Sequence, residues 1–402
     1  STVIGRSNTS GVSQTVIGSG NIGTGGNGGG TLIGVANQAS NGGVTFGTNN
    51  YANRGVAIGS GNYTSSRGGG AVLIGSSNST SEAGTAIGKS NRDNRGGVTF
   101  GVSNSNNGSS TYGSSTIFGS SNNVNHGSTI YGISNRSSIR STLFGKSNVS
   151  NENSTIYGLS NTSNNSVRIY GSDNTSMSSV KIFGDFNNNT TNVVSTGRDA
   201  FIYGSRSLVS GSGYTYGSRN QVTNYGMAFG HTNTISNTGY SYGQGNSINY
   251  GGFAYGKDNT IDGYSLGGTP YAFGTNNLAK QNSILFGRDN IGEGTSIALG
   301  NDLKVKGTNS LALGSNAAVN ATNSMVIGLG STPISQGDSL IDNNTLAILN
   351  GFVSIGTNIP DPNYRMTLNG GMRLDGNQVI TTRLDVGDIG TETGEIYRNG
   401  KR

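Results

Sequence analysis

Residue types that commonly carry catalysis are scarce in this sequence. The 402 residues include no Cys and only two His, His126 and His231, each alone in a predicted solvent-exposed turn. Without Cys the chain has no disulfide, thiolate metal ligand or Cys nucleophile. Four aspartates lie in turns just after a glycine, but they lack the paired spacing of a Ca²⁺ loop: Asp173, Asp185, Asp258 and Asp289. We therefore expect no metal, no cofactor and no enzymatic activity.

Aromatic residues form the most regular candidate surface. In the middle of the chain one of them precedes each recurring glycine, as in Phe118, Tyr131, Phe144, Tyr157, Tyr170 and Phe183. We expect these rings to form a stacked ladder in the core, and the alternative is an exposed platform for sugar rings. A second aromatic set stands two residues earlier in its units: Phe201, Tyr214, Tyr240, Phe253 and Tyr271. Residues 200–275 are therefore the predicted ligand-binding stretch.

Composition and charge exclude several classes of partner. The formal net charge is only +6, and the cations are scattered singly, which does not favour nucleic acid. No apolar run reaches the ~20 residues of a membrane-spanning helix, so no membrane insertion is predicted. The 70 glycines and the 31% hydrophobic content are typical of disorder unless they belong to a regular repeat.

A repeat is present, and it explains the glycines. The repeating unit consists of apolar or aromatic residues, a glycine, two small residues and, in most units, Asn. It recurs 24 times, most often at a spacing of 13 residues. We call this glycine the anchor glycine. Asn stands three residues after it in 20 of the 24 units. Representative pairs are Gly5 and Asn8, Gly132 and Asn135, Gly158 and Asn161, and Gly230 and Asn233.

Each unit predicts one coil of an all-β solenoid. A short strand ends at the anchor glycine, Asn forms a turn and a ladder of stacked amides, and a second strand follows. We expect both faces of the first strand to be buried, one inside the coil and the other against a neighbouring chain. Stacked at ~4.8 Å per coil, the units would form a rod of about 115 Å. So thin a core favours a homotrimer.

The units near residues 296–328 resemble a known family. The runs Ser-Ile-Ala-Leu-Gly at 296–300, Ser-Leu-Ala-Leu-Gly at 310–314 and Ser-Met-Val-Ile-Gly at 324–328 are similar to the heads of YadA-like trimeric autotransporter adhesins, and to phage tail fibres built on the same coil. The resemblance implies a left-handed parallel β-roll with coils of 13–14 residues in a homotrimeric fibre. Most other units carry an aromatic-Gly-x-x-Asn pattern instead of the family's Ala-rich one.

The last part of the chain differs in character. Residues 351–360 and 365–371 are similar to a linker of phage tail fibres that often precedes a chaperone or tip module. We expect a β-roll domain over 1–328 and a small β-rich cap or connector module over 329–402. Nothing after this linker resembles an adhesin coiled coil or a membrane-anchoring barrel.

These observations favour a structural and attachment protein. The resemblance implies a trimeric phage tail or capsid fibre on the virion surface, which contacts a host receptor or glycan and neighbouring fibre or virion proteins. The alternatives are the head of a bacterial trimeric adhesin at the cell surface and, less favoured, a polysaccharide depolymerase. Insertions at 23–30, 65–71 and 185–200 are either binding loops or tolerated surface variation. A Thr row (Thr116, Thr129, Thr142 and Thr155) could bind ice, but we expect these residues to share a face with buried rings.

Overall fold

A computed structural model describes residues 1–24, 28–65, 70–108, 113–177, 179–189, 200–263, 268–329, 339–340, 343–349, 353–355 and 366–368. All secondary-structure elements within these residues are β-strands. The chain forms two compact units, Ser1–Ala347 and Ile348–Arg402. In the second unit, strands Val353–Ile355 and Met366–Leu368 pair in parallel.

Two rows of short strands build the first unit. Row A contains the strands that include or end next to an anchor glycine: Thr2–Arg6, Thr15–Ser19, Thr31–Val35, Val44–Thr48, Gly55–Ser60, Ala71–Ser76, Thr85–Lys89, Val98–Val102, Thr116–Ser120, Thr129–Ile133, Thr142–Lys146, Thr155–Leu159, Arg168–Ser172, Val180–Phe183, Ala200–Ser205, Tyr214–Ser218, Gly226–His231, Gly239–Gln244, Phe253–Lys257, Tyr271–Thr275, Ile284–Arg288 and Met325–Leu329.

Row B contains the strands that follow the turn: Ile22–Thr24, Gln38–Ser40, Tyr51–Asn53, Tyr63–Thr64, Ser79–Thr80, Arg92–Asp93, Ser105–Asn106, Asn123–His126, Arg136–Ile139, Val149–Glu152, Thr162–Asn165, Thr175–Ser176, Asn188–Asn189, Leu208–Ser210, Gln221–Thr223, Thr234–Ser236, Ser247–Asn249, Thr260–Asp262, Leu278–Lys280, Ile291–Gly292 and Ser339–Leu340. Strands Ser296–Val305 and Ser310–Val319 run through both rows, and Leu346–Leu349 is the remaining strand.

Every coil stacks on the next in the register that the repeat predicts. Thr116 pairs with Thr129 and Gly119 with Gly132 in row A, and all of these pairings are parallel. Row B repeats the arrangement, with Arg136 opposite Val149. The prediction of an all-β parallel solenoid with coils of about 13 residues is therefore confirmed.

The interior of the coil differs from the prediction in one respect. In every row A strand after Thr2–Arg6, whose five residues are all exposed, the residue two positions before the anchor glycine is buried, as in Ile117, Ile130 and Ile156, each 0% exposed. The residues on either side of it point outward, because side chains alternate along a strand. The expectation that the aromatic ladder belongs to the core is therefore wrong for the single chain. The coil is narrow, and its largest fully buried side chains are Leu and Ile.

Glycine is required at the anchor position for two reasons. Gly5, Gly132, Gly158 and Gly230 have φ between 112° and 143°, a region that other residues rarely adopt. A Cβ atom at Gly132 would also lie 1.8 Å from the carbonyl oxygen of Gly145 in the next coil. Any side chain at these positions would therefore strain the backbone and separate two stacked coils.

The turn after the glycine is held by a ladder of buried asparagines. In Asn135, the backbone N–H and Nδ2 both donate to Oδ1 of Asn122, at 2.9 and 3.2 Å. Its Nδ2 also donates to the carbonyl of Gly145, at 2.8 Å. The left-handed residue of the turn is not this Asn but the residue before it, as in Ser134 with φ 56°. Asn is therefore selected for its amide rather than for its backbone.

Candidate association surface and ligand groove

The aromatic rings of row A form a stacked column on the outer face of the solenoid. We call the side chains immediately before the anchor glycines the outer column. From Phe118 to Phe183 the ring centroids of neighbouring coils lie 4.6–5.1 Å apart, with interplanar angles of 2–6°. Tyr131, Tyr157 and Tyr170 are 38–39% exposed. Stacking thus occurs as predicted, but the tyrosines of the column remain partly exposed on the outside of the single chain.

Towards both ends of the first unit the outer column includes aliphatic side chains as well as Phe46, Phe100 and Phe286. Ile4, Ile58 and Ile74 are exposed near the start of the chain, and Leu299 is exposed near residue 300. The outward positions of row B are mostly polar, for example Gln38, Arg92, Arg136, Thr162 and Gln221, all exposed. The apolar exceptions are Ile22, Tyr51, Tyr63, Val149, Leu208, Leu278 and Ile291, of which Tyr51 and Tyr63 stack at 4.9 Å. The two rows therefore present one apolar and one mostly polar face.

The second aromatic set lies on the same outer face, beside the outer column. Tyr240, Phe253 and Tyr271 stack on one another at 4.8 and 5.0 Å. Tyr214 is 38% exposed. Phe201 behaves differently from the rest, because its ring lies tilted against Phe183 at 5.7 Å.

Phe201 interrupts the outer column. Its ring lies 5.7 Å from Phe183 and 5.5 Å from Tyr216, so it takes the place between these two rings. Tyr203, the regular member of the column in this coil, is displaced to 6.2 and 6.1 Å from the same rings and is 56% exposed. The asparagine ladder also breaks in this coil, where Ser207 replaces Asn and its N–H donates to Oδ1 of Asn187 at 3.0 Å.

A groove of about 600 Å³ lies beside this interruption. Its floor is the anchor-glycine row Gly184, Gly204, Gly217 and Gly230. Phe183 and Tyr203 line one side, and Asp185, Ser205 and Ser218 line the other. Oδ1 of Asp185 accepts hydrogen bonds from the N–H and the hydroxyl of Ser172, at 2.7 and 2.8 Å, which fixes this carboxylate in place. Six of its nine lining residues lie in the predicted ligand-binding stretch 200–275. The groove itself was not predicted, although the 20-residue step between Gly184 and Gly204 marked an irregular coil.

The Thr row lies on the outer face as well. Thr116, Thr129, Thr142 and Thr155 are half-buried next to the outer column. They share a face with the rings, as expected, but the burial of that face in the coil is not observed. Because aromatic rings alternate with Thr along each strand, the surface is not an all-Thr array of the kind that ice binding requires.

The remaining candidates are dispersed. His126 and His231 end strands Asn123–His126 and Gly226–His231 and are half-buried, rather than exposed in turns as expected. Asp173, Asp258 and Asp289 occupy left-handed turn positions. Asp258 and Asp289 pair with Lys257 and Arg288, at 3.8 and 3.1 Å, on the exposed surface, where such pairs contribute little. Of the proposed insertion loops, residues 25–27, 66–69 and 190–199 lie outside the described residues.

One buried acid was not foreseen. Asp93 is 0% exposed inside the coil, where its Oδ1 accepts hydrogen bonds from Asn106 Nδ2 at 3.2 Å and Gly97 N–H at 3.3 Å. Its Oδ2 has no hydrogen-bond partner among the described residues. Desolvation outweighs these hydrogen bonds and raises the pKa of Asp93 from 3.8 to about 6. The signal in the sequence was a charged residue five positions after an anchor glycine, where Val, Ile or Ser is usual.

Two further features that we searched for among the described residues are a metal site and a membrane-spanning helix. Across the described ranges, no group of three or more His, Cys, Asp or Glu side chains is placed to hold a metal ion. In that part of the chain, no helix has the length and apolar character needed to cross a bilayer.

No protein-family model matches the chain, and no curated protein matches it.

Proposed function

We propose that this chain is the shaft of a homotrimeric attachment fibre, built as a left-handed β-roll. The observation that carries the proposal is the outer column, an apolar and aromatic strip that runs along row A while row B is mostly polar. A soluble monomer rarely exposes so long a contiguous apolar surface. A second and a third copy, each with the same strip, would cover it around a threefold axis.

The proposed task is recognition of a host surface rather than catalysis. Coils in identical register repeat any weak contact along the rod, and a trimer repeats it threefold, so that the effective concentration at the surface rises. We place the fibre on a virion, as a phage tail or capsid fibre that binds a receptor or glycan and joins neighbouring fibre proteins. The head of a bacterial trimeric adhesin remains the second candidate, because the Ser-x-Ala-Leu-Gly runs at 296–300 and 310–314 fit it equally well.

Light scattering tests the trimer. We expect a mass of about three times the 41.1 kDa of one chain. Tyr157→Lys would place a charge in the outer column and shift the protein towards smaller species, because an ammonium group cannot be buried there without a partner. Thr162→Lys is the matched control, since this outward row B position holds Arg136 and Arg92 in other coils. A monomeric wild-type mass would overturn the proposal.

The attachment role and the enzymatic alternative need separate tests. Electron microscopy of native particles or cells should show the rod on a virion, whereas rods on a bacterial envelope would favour the adhesin. A reducing-end assay on capsular polysaccharide and lipopolysaccharide should detect no release. Release of oligosaccharides would favour the depolymerase.

A further inference from the structure

We infer that the groove beside Tyr203 is a binding site for a short stretch of an uncharged glycan. The inference rests on the proposed attachment function and gives it a location and a ligand class. The groove runs past four glycines, and with strands ~4.8 Å apart it extends over about 14 Å, the length of a short oligosaccharide.

The lining of the groove suits a sugar chain in its chemistry. Phe183 and Tyr203 line the groove, and the ring of Tyr203, which is 56% exposed, offers aromatic surface to the C–H bonds of a pyranose ring. The hydroxyls of Ser205 and Ser218 both donate and accept hydrogen bonds, as sugar hydroxyls do. A carboxylate such as Asp185 makes strong, short hydrogen bonds to hydroxyl groups. The aromatic side chains and the hydrogen-bonding side chains therefore lie on opposite sides of the row of glycines, which has no side chains of its own.

The position of the carboxylate limits the charge of the ligand. Asp185 is held in place by two hydrogen bonds from Ser172, so its negative charge stays at one end of the groove. An acidic glycan would meet that charge and be repelled, whereas a neutral one would not. We therefore assign the site to uncharged sugars.

In the proposed trimer the second and third copies cover the flat stretch of the outer column from Phe118 to Phe183 and leave the irregular coil at Tyr203 open to a ligand. Between Phe118 and Phe183 the rings form a flat stack with angles of 2–6°, which a flat face of another chain can cover. At Tyr203 the rings tilt by 36° and 30° against their neighbours, and the surface becomes concave. A small ligand fills such a hollow better than a repeat of the same strand does.

The decisive variant fills the groove without altering the coil. Ser218 stands immediately after an anchor glycine, a position that Lys146, Lys257 and Arg288 occupy in other coils with their side chains exposed. Ser218→Lys is therefore compatible with the fold and would block the groove. Ser120→Lys, at the same position in an unbroken part of the outer column, is the matched control. Asp185→Asn tests the carboxylate.

Calorimetric titration of the full chain with maltohexaose, cellohexaose and chitohexaose measures the inference, with hyaluronan hexasaccharide as the acidic probe. We expect at least one neutral probe to bind, with affinity about tenfold or more weaker in Ser218→Lys and unchanged in Ser120→Lys. Asp185→Asn should lower the affinity for that neutral probe and allow the hyaluronan hexasaccharide to bind. Absence of binding by all neutral probes at millimolar concentration, or equal loss in the two Lys variants, would overturn the inference.

Light scattering on the same samples separates this inference from the proposed trimer. A trimer that binds no neutral probe refutes the glycan site and leaves the fibre proposal intact. A monomer that binds a neutral probe in a Ser218-dependent way refutes the trimer and leaves the site. If Ser218→Lys dissociates the trimer while Ser120→Lys does not, the groove is an interface between copies, and the glycan site is wrong.

Discussion

Two stretches of the solenoid fill the same narrow interior with different chemistry. In coils 128–163, serines face each other across the coil, and their hydroxyls lie 2.7 Å apart in the pairs Ser128–Ser137, Ser141–Ser150 and Ser154–Ser163. In coils 209–261, one side holds a branched aliphatic residue and the other a glycine, as in Gly226 opposite Ile235. All of the serines and Ile235 are at most 1% exposed.

The difference shows that the coil conserves an inner cross-section rather than a residue type. Two small hydroxyl side chains, or one large side chain and none, occupy a similar space. A Cβ atom at Gly226 would lie 2.6 Å from Cγ2 of Ile235, so the aliphatic arrangement excludes even an alanine opposite. The serines satisfy their buried polar atoms by bonding to each other, as buried hydroxyls must.

A third arrangement of the coil interior lies at Asp93, where we expect the largest effect on stability. Asp93 places a carboxyl opposite glycines, and a Cβ atom at Gly84 would lie 2.6 Å from its Cγ. Because the folded-state pKa of Asp93 is about 6 and its unfolded value is 3.8, the folded chain retains a proton that the unfolded chain has lost between these values. Stability therefore falls as the pH rises through this window, by about 3 kcal/mol in all.

Asp93→Asn imitates the protonated acid and should remove this pH dependence. We expect the variant to be more stable than the wild type above pH 6 by up to about 3 kcal/mol, and equal to it near pH 4. Hydrogen exchange of the amides around residues 85–106 at pH 4.5 and 8 measures the effect. Asp173→Asn, in an exposed turn, is the control. Equal protection of wild type and Asp93→Asn at pH 8 would contradict the burial of a charge.

Gly226→Ser should produce the next largest effect by overfilling the aliphatic segment. We expect a loss of about 1–3 kcal/mol in the free energy of unfolding, since the new Cβ meets a branched methyl group that cannot move away. The double variant Gly226→Ser with Ile235→Ser recreates the serine pair and should recover part of this loss. Urea denaturation measures both variants. A double variant less stable than the single one would show that the two arrangements are not interchangeable.

Ser137→Ala should have the smallest effect, because it deletes one hydroxyl of a pair. Ser128 still donates to the carbonyl of His126 at 3.0 Å, so its own hydroxyl keeps a partner. We expect a loss of about 1 kcal/mol, the usual contribution of one buried hydrogen bond. Ser120→Ala removes a hydroxyl outside the coil and should be close to neutral. If both substitutions have the same effect in urea denaturation, the serine pairs do not stabilise the hydroxyl segment.

The repeat made the fold predictable from the sequence, but not the direction in which its side chains point. Fixed spacing of anchor glycines and Asn required a parallel solenoid. Apolar residues occupy three successive positions of row A, so the pattern alone does not decide which one points inward. The narrow coil excludes rings as large as those of Phe118 and Tyr131 from its interior, contrary to the predicted core ladder. The groove depends on Phe201 entering the place of Tyr203, a packing event between coils that no single unit encodes.

Both core segments carry an aromatic outer column, which is flat over the hydroxyl segment and tilts at Tyr255, 6.3 Å from Tyr242 and Phe273, over the aliphatic segment. Tyr131 and Tyr157 lie above the hydroxyl segment, and Tyr216 and Phe229 stack at 4.8 Å above the aliphatic segment. The interior changes while the outward surface keeps its apolar character. A constant apolar surface is expected if another copy of the chain packs on it, because that copy would contact the outward side chains and not the residues inside the coil.

Electron cryomicroscopy of the purified full chain tests this claim most directly. A cross-section through the coils around residues 118–183 should show three solenoids, with the row A strands facing the common axis and the rings of Tyr131, Tyr157 and Tyr170 covered by neighbouring chains. A single solenoid, or three solenoids that turn row A towards solvent and row B towards the axis, would contradict the account.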